Sequence, residues 1–485
     1  MTRSLTRRRR IDRIVAGGIA LIVLAVAAIV YLTSDVRATT DATGPEVPAP
    51  SAPTTVPTTL TQKWALATDP AVGAVASPYG VVVVAQGNAA IGYDAETGER
   101  RWSYDRGSAD SDQQLCAIGS GDTDAPGVTV RGQVRGVMVV SNKSGYCSQM
   151  MLLDPVTGAR HYYRTSPNQA GGALAFGGPY AGWLGPTLAE LWRDDLVRTI
   201  QYGDLPAPPK PNATHTGCLF TDMIIDDQQF ATVEHCPDLG APAQVVLNWT
   251  TPDSAPNKPD DQDVFKHTPR ATIDTGSSAA RLVGITSDRV AVLVSDPEPA
   301  VVLYDTAGQE VGRTPVDVSA QSIVDADRLT DAGGTAPTPS VLDGELRFSV
   351  VGDTLLAVSS QSATVTSTPT PSPAGGLAGT AQPPTPGVLA SELAGAEPST
   401  VTEQIEDLSV AWTRHGVLGL PAVIGEQVLL PVAGGLAAVA AGNGNPGIVP
   451  AVIAVDRGGD TGRVDVAAVG PMIIETRGDS VVGLS

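Results

Sequence analysis

The sequence is poor in several things, and each shortage excludes a class. Aromatic residues make up only 4% of 485 positions, and cysteine occurs four times. A chain this long with so few cysteines is no disulfide-built miniprotein. Positive charge is scarce beyond the first 13 residues. Positions 35–485 hold 25 basic against 50 acidic side chains, within a whole-chain net charge of −20. A nucleic-acid partner is thereby excluded, because phosphate binding needs basic density. Only one apolar run is long enough to cross a bilayer, which excludes a polytopic transporter. Amphipathic helical patterning is also missing from the body of the chain, while 52 Gly and 39 Pro point to many turns.

The one apolar run is informative. Residues 14–34 carry no charge, and Arg3, Arg7, Arg8, Arg9, Arg10 and Arg13 precede them. At about 1.5 Å per residue the run is roughly 30 Å long as a helix, the thickness of a hydrocarbon core. The expectation is a cytoplasmic basic tail over 1–13, a transmembrane helix over 14–34 and an extracytoplasmic body, oriented by the positive-inside rule. A cleaved signal peptide is the alternative, with Val36-Arg37-Ala38 a poor cleavage site. Gly17-Gly18 lacks GxxxG spacing, so a dimerising helix is unsupported.

Residues 35–61 and 362–400 are rich in Thr, Pro and Ala and almost devoid of large apolar side chains. Such composition cannot offset the entropy of ordering, so a disordered stalk and a disordered insertion are expected there. The four cysteines follow the apolar run, and pairing within sequence neighbours gives Cys116–Cys147 and Cys218–Cys236. Each closed loop would contribute roughly 3 kcal/mol by chain entropy. The rival is zinc, since His215-x-x-Cys218 and His235-Cys236 supply the right ligand types. Adjacent strand residues point to opposite faces, however, so His235 and Cys236 would close a tetrahedron awkwardly. Asn142, Asn212 and Asn248 match the glycosylation sequon. A basic set of 26 Arg and 5 Lys has the bias of a high-G+C bacterium, which argues against that use.

Short β-branched runs bounded by Gly, Pro, Asp or Asn recur from residue 62 onward, the signature of an all-β chain. Several lead into one turn. Its copies are Tyr93-Asp94-Ala-Glu-Thr97-Gly98-x-x-x-Trp102, then Asp154-Pro-Val-Thr157-Gly158-x-x-x-Tyr162, a shorter Asp305-Thr-Ala-Gly308, and a degraded copy at Asp456. The Asp can accept from its own downstream N–H groups, and the Gly supplies positive φ for the reversal. The aromatic at the end of the returning strand, Trp102 or Tyr162, then packs on the next sheet.

This repeat resembles that of the quinoprotein-dehydrogenase-like (PQQ-like) β-propellers, strongly over 64–165 and weakly across the rest of 62–485, and most of all their membrane-anchored actinobacterial members of unknown function. The resemblance implies a closed propeller of four-stranded blades, eight expected and seven the alternative. Blades are expected at 71–104, 113–164, 170–202, 217–250, 271–316, 341–412 and 417–466, with residues 62–68 around Trp64 completing a last blade beside 468–485. It also raises PQQ and calcium as cofactors, with Trp183 and Trp192 the available platform residues, although no two cysteines are adjacent and no catalytic Asp can be carried across.

Other chemistry is thin. Asp226-Asp227 and Asp260-Asp261-Gln262-Asp263 lack the Gly-turn spacing of a calcium loop. Asp456-x-Gly-Gly-Asp460-Thr-Gly with Asp465 has glycines that permit tight wrapping, and it also reads as a blade turn. His161, His215, His235, His267 and His415 lie by no Gly-x-Ser-x-Gly elbow, and no Walker-type phosphate loop is present. The expectation is therefore a binding or scaffolding module of the cell envelope, with a protein or other envelope ligand on the propeller faces. A divergent quinoprotein, an envelope-glycan hydrolase, or a sensor relaying through the anchor are the other classes.

Overall fold

A computed structural model describes residues 2–32, 39–107, 114–121, 136–143, 145–205, 215–237, 242–251, 269–327, 342–343, 346–367, 401–445, 452–459 and 462–485. It contains eight antiparallel sheets arranged as the blades of a propeller, after one apolar helix, α1 (Thr2–Leu32). Within α1, Arg13–Tyr31 is long and apolar enough to cross a membrane, and its side chains are exposed.

Why the ring closes is visible in the strands. Val81–Gln86 has five buried residues in a row, because a strand inside a propeller faces a blade on each side. Its side chains divide by parity. Val81, Val83 and Ala85 pack with Val137, Val139 and Leu153 of the following blade. Val82 and Val84 pack with Ile474 and Val481 of the preceding one. Outermost strands lose one neighbour, and Arg160–Thr165 and Glu310–Pro315 are accordingly mostly exposed.

The blades are 74–105, 115–165, 173–203, 219–274, 280–315, 342–415, 422–454, and a last one of 464–484 with Gln62–Ala67. Two sequence-based divisions shift. Ala271–Asp274 pairs with Gln244–Trp249 as the fourth strand of blade 4, and Val464–Val469 opens blade 8 rather than ending blade 7. Gln62–Ala67 pairs antiparallel with Ser480–Leu484, so the ring is joined by strands from its two ends. Thr61 and Ser485 exchange two backbone hydrogen bonds beyond that pair. Turns joining strands 1–2 and 3–4 lie on one face, here the turn face. Turns joining strands 2–3 and the links between blades lie on the other, the connection face.

Two regions expected to be disordered are built differently. Within 35–61, the described residues 39–61 form a strap on the propeller. Thr40–Ala42 adds a fifth strand to blade 1 beside Arg100–Asp105, and Gly44 N donates to Thr157 O of blade 2. The strap then crosses the turn face. A Cβ on Gly80 would lie 2.9 Å from Pro50 Cδ, and one on Gly470 2.6 Å from Pro50 Cβ. Thr54 O sits over Gly425, and Val56 and Leu60 pack into the core of blades 7 and 8. Within 362–400, strand Thr354–Ser367 continues to Ser367 and pairs with Val401–His415, while 368–400 lies outside the described residues.

Candidate functional site

The turns come first, because they position everything on the turn face. Asp94 Oδ1 accepts from the N–H groups of Glu96 and Thr97, both at 2.9 Å, and Gly98 N donates to Asp94 O. Asp154 repeats this with Val156, Thr157 and Gly158. Asp305 accepts from Ala307 and Gln309 in a shorter turn closed by Gly308. The residue docking on each turn comes from the preceding blade. Trp64 Nε1 donates to Ala95 O at 3.1 Å, and Trp102 Nε1 to Pro155 O at 3.0 Å. In both, the acceptor lies three residues before the left-handed glycine, whose Cβ, if present, would strike the indole.

Two expectations fail here. Asp456 accepts from Gly458 N but lies after the fourth strand of blade 7, in the link to blade 8. The true turn of blade 7 is Ala440–Asn445. There Gly444 N donates to Ala440 O, Asn445 N donates to Asn443 Oδ1, and Trp412 Nε1 donates to Ala441 O at 2.7 Å. Tyr162 does not dock but is 49% exposed. Its cross-strand partner is Leu152, whereas Gly92 and Gly483 stand opposite Trp102 and Trp64 and leave room for the ring. Arg164 Nη1 takes over by donating to Leu196 O of blade 3.

The densest chemistry among the described residues lies on the connection face of blades 3 to 5. Two disulfides are present, Cys116–Cys147 and Cys218–Cys236. Helix α2 (Ala320–Asp327) follows blade 5 and ends there. Asp327 Oδ1 accepts from Thr221 Oγ1 at 2.5 Å, and its Oδ2 lies 2.9 Å from His235 Nε2. Arg281 reaches Asp222 Oδ2 at 3.2 Å and donates to Ala326 O. Burial pushes Asp222 up to about 6, against the pull of Arg281 and two backbone N–H groups. The hydrogen bond that His235 donates to Asp327 raises His235 above its ordinary value, against partial burial.

The opposite face of the same strand carries a second cluster. Glu234 is fully buried; its Oε1 accepts from Tyr202 and Thr232, and its Oε2 lies 2.7 Å from His215 Nδ1. His215, Cys218, Glu234 and Cys236 present ligand atoms within 4.8 Å of one another. Strand alternation thus removes His235 from the zinc set considered above and substitutes Glu234. No residue signal marked Glu234, Asp222, Arg281 or Asp327, whose charged partners are distant in sequence.

The remaining sequence candidates are scattered. Asp226 is 3.5 Å from the buried Arg347, and burial raises it to about 6. Burial, then Glu406, raises Asp227. Asp465 accepts from Leu420 N and pairs with Arg463. His161 is 3.5 Å from Asp154, and His415 contacts Thr354 and Asp317. Asn248 is fully buried, which bars glycosylation there; Asn142 Oδ1 accepts from Gly145 N. Asn212, Asp260, Asp261, Asp263, His267 and Asp460 lie outside the described residues.

A quinone of the PQQ type would need an aromatic platform beside free carboxylates. Trp183 and Trp192 are instead buried in the core between blades 2 and 3, with Trp183 Nε1 donating to Gln169 O. Asp222 and Asp327 are engaged by Arg281, Thr221 and His235. These four residues do not supply that platform and carboxylate set.

No protein-family model matches the chain, and no curated protein matches it. Solved structures similar to it include a quinohemoprotein alcohol dehydrogenase from Comamonas testosteroni, 13% identical over 88% of this chain and 76% of that one, with a TM-score of 0.37. A europium-containing methanol dehydrogenase is 10% identical over 86% of this chain and 84% of that one, at 0.39. The mitotic checkpoint complex supplies another, 10% identical over 90% and 97%, at 0.38. Likenesses this distant carry no argument about what the chain does.

Proposed function

We propose that the chain is a single-pass protein of the bacterial cell membrane whose propeller stands outside the cytoplasm and docks a protein or other envelope ligand on its connection face. The strap carries this reading. It begins at Thr39, and seven Cα steps separate Thr39 from Leu32, at most about 25 Å of chain. Thr39 Oγ1 accepts from Arg106 at the connection-face end of blade 1, so the tether ends on the rim of that blade. The strap then climbs its outer edge as Thr40–Ala42 and crosses the turn face. Among the described residues it covers part of that face while leaving the connection face uncovered. Six arginines ahead of the apolar helix favour a cytoplasmic start. Two disulfides agree with an oxidising compartment.

Recognition by a rigid ring suits this arrangement, since loops on a fixed scaffold bind with little ordering cost. The test is site-specific photo-crosslinking in intact cells. Crosslinkers at Gln321 and Asp325, exposed on α2 at the connection face, should yield discrete adducts; those at Glu96 and Ala307 on the turn face should not. Discrete adducts from the turn face alone, or from neither face, would overturn the proposal.

A further inference from the structure

We propose that Cys218 and Cys236, once reduced, hold a divalent zinc-type cation together with His215 and Glu234. The donor set is two thiolates, one imidazole and one carboxylate, all of them zinc ligand types. Backbone geometry already gathers them. Cys218 and Cys236 flank the paired ends of Leu219–Ile225 and Gln229–His235, whose register sets Leu219 opposite His235. Glu234 lies two residues before Cys236, on the same side of the chain. His215 reaches back from a left-handed backbone at φ 61.

All four ligand atoms lie within 4.8 Å of one another, and tetrahedral zinc with bonds of about 2.0–2.3 Å needs edges of roughly 3.3–3.8 Å. Side-chain rotations therefore suffice once the S–S bond is open. A second observation points into the same space. Glu234 is fully buried, and its Oε2 has no well-directed hydrogen-bond donor despite the nearby imidazole. A buried carboxylate oxygen in that state gains from a cation. Oε1 keeps Tyr202 and Thr232 as donors, which would hold the carboxylate in place as a ligand's outer partners do. Among the described residues Cys116–Cys147 has no such surrounding set.

The chemistry balances simply. A dithiol reductant gives two electrons and two protons to the sulfurs and leaves as its own disulfide. The metal then displaces the two thiol protons and binds both thiolates. Oxidation by a disulfide donor reverses the sequence and releases the cation, so one pair of sulfurs alternates between staple and ligand.

Cobalt(II) is the probe, because tetrahedral thiolate coordination gives it visible ligand-field and charge-transfer bands. Full-length protein carrying Cys116→Ser and Cys147→Ser is reduced with a water-soluble phosphine, which ends as its oxide, and is then titrated anaerobically. One equivalent should bind, zinc should displace it, and unreduced protein should show no bands. His215→Ala and Glu234→Gln should each weaken binding by at least the roughly 10–100-fold that losing an outer partner costs. Absence of bands in reduced, folded protein overturns the proposal, as does binding that neither substitution changes. Should the double serine variant not fold, reduced wild-type chain serves instead: one equivalent supports the site, and two equal equivalents overturn it.

Discussion

Asp222 shows how a single buried carboxyl sets a pH dependence. In the folded chain it keeps its proton up to about 6, whereas an exposed Asp releases it near 3.8. Between those values the folded state binds more protons than the unfolded one. Stability contributed by this group is therefore complete below pH 3.8 and is lost as pH rises through about 6. Asp222→Asn should flatten the fall in denaturation midpoint across that window relative to wild type, measured by urea unfolding at fixed ionic strength. His235 has the same sign in a higher window. Its raised value means that the contact with Asp327 is strongest when the imidazole is charged and weakens as pH rises through the folded pKa. Protection of the α2 amides, measured as exchange relative to the intrinsic rate at each pH, should fall over that rise, and His235→Gln should remove the fall.

At the scale of the element, one interaction recurs and one of its signals misleads. Trp64, Trp102 and Trp412 each send an indole N–H to a carbonyl three residues before a left-handed glycine. Truncating Trp102 or Trp412 to Ala should cost about 3–5 kcal/mol, as for other buried aromatics. Tyr162→Ala, at a half-exposed site, should stay within about 0.5 kcal/mol. Chemical denaturation of the three variants separates these outcomes. The turn of blade 7 suggests the converse experiment. Ala440 occupies the position of Asp94, so Ala440→Asp should supply the missing acceptor and stabilise by about 1 kcal/mol. The same comparison explains what could be read in advance. Asp94 and Asp154 announce their turns by side-chain chemistry, whereas Ala440–Gly444 makes the same turn with backbone and Asn443 alone. Asp456 has the right letters on the wrong side of a two-residue strand. Strands Val81–Gln86 and Arg289–Val294 were legible because burial on two faces demands unbroken apolar residues. The clusters at Glu234 and Asp327 were not, because long-range ion pairs leave no local period.

For the whole molecule, the lesson lies in residues 39–61, whose composition reads as unstructured yet which lie across blades 1, 2, 7 and 8. Composition misleads because this segment has no core of its own to form. It borrows one, setting Val56 and Leu60 into the apolar space of blades 7 and 8. Elsewhere it crosses turns whose glycines leave the height of one proline ring, as at Gly80 and Gly470. Strap and closing strand then make separable contributions. Removing residues 2–60 takes away the added strand of blade 1, the ion pair Asp41–Arg160 and two apolar side chains, but leaves Gln62–Ala67 paired with Ser480–Leu484. That truncation should lower the melting temperature while unfolding remains a single transition. Removing residues 2–68 also deletes Trp64 and exposes the edge of Ser480–Leu484, a template for intermolecular pairing. That chain should lose cooperative unfolding or associate into oligomers, as read by calorimetry and light scattering. Equal behaviour of the two truncations would mean that the strap, rather than the shared strand, is what holds the ring shut.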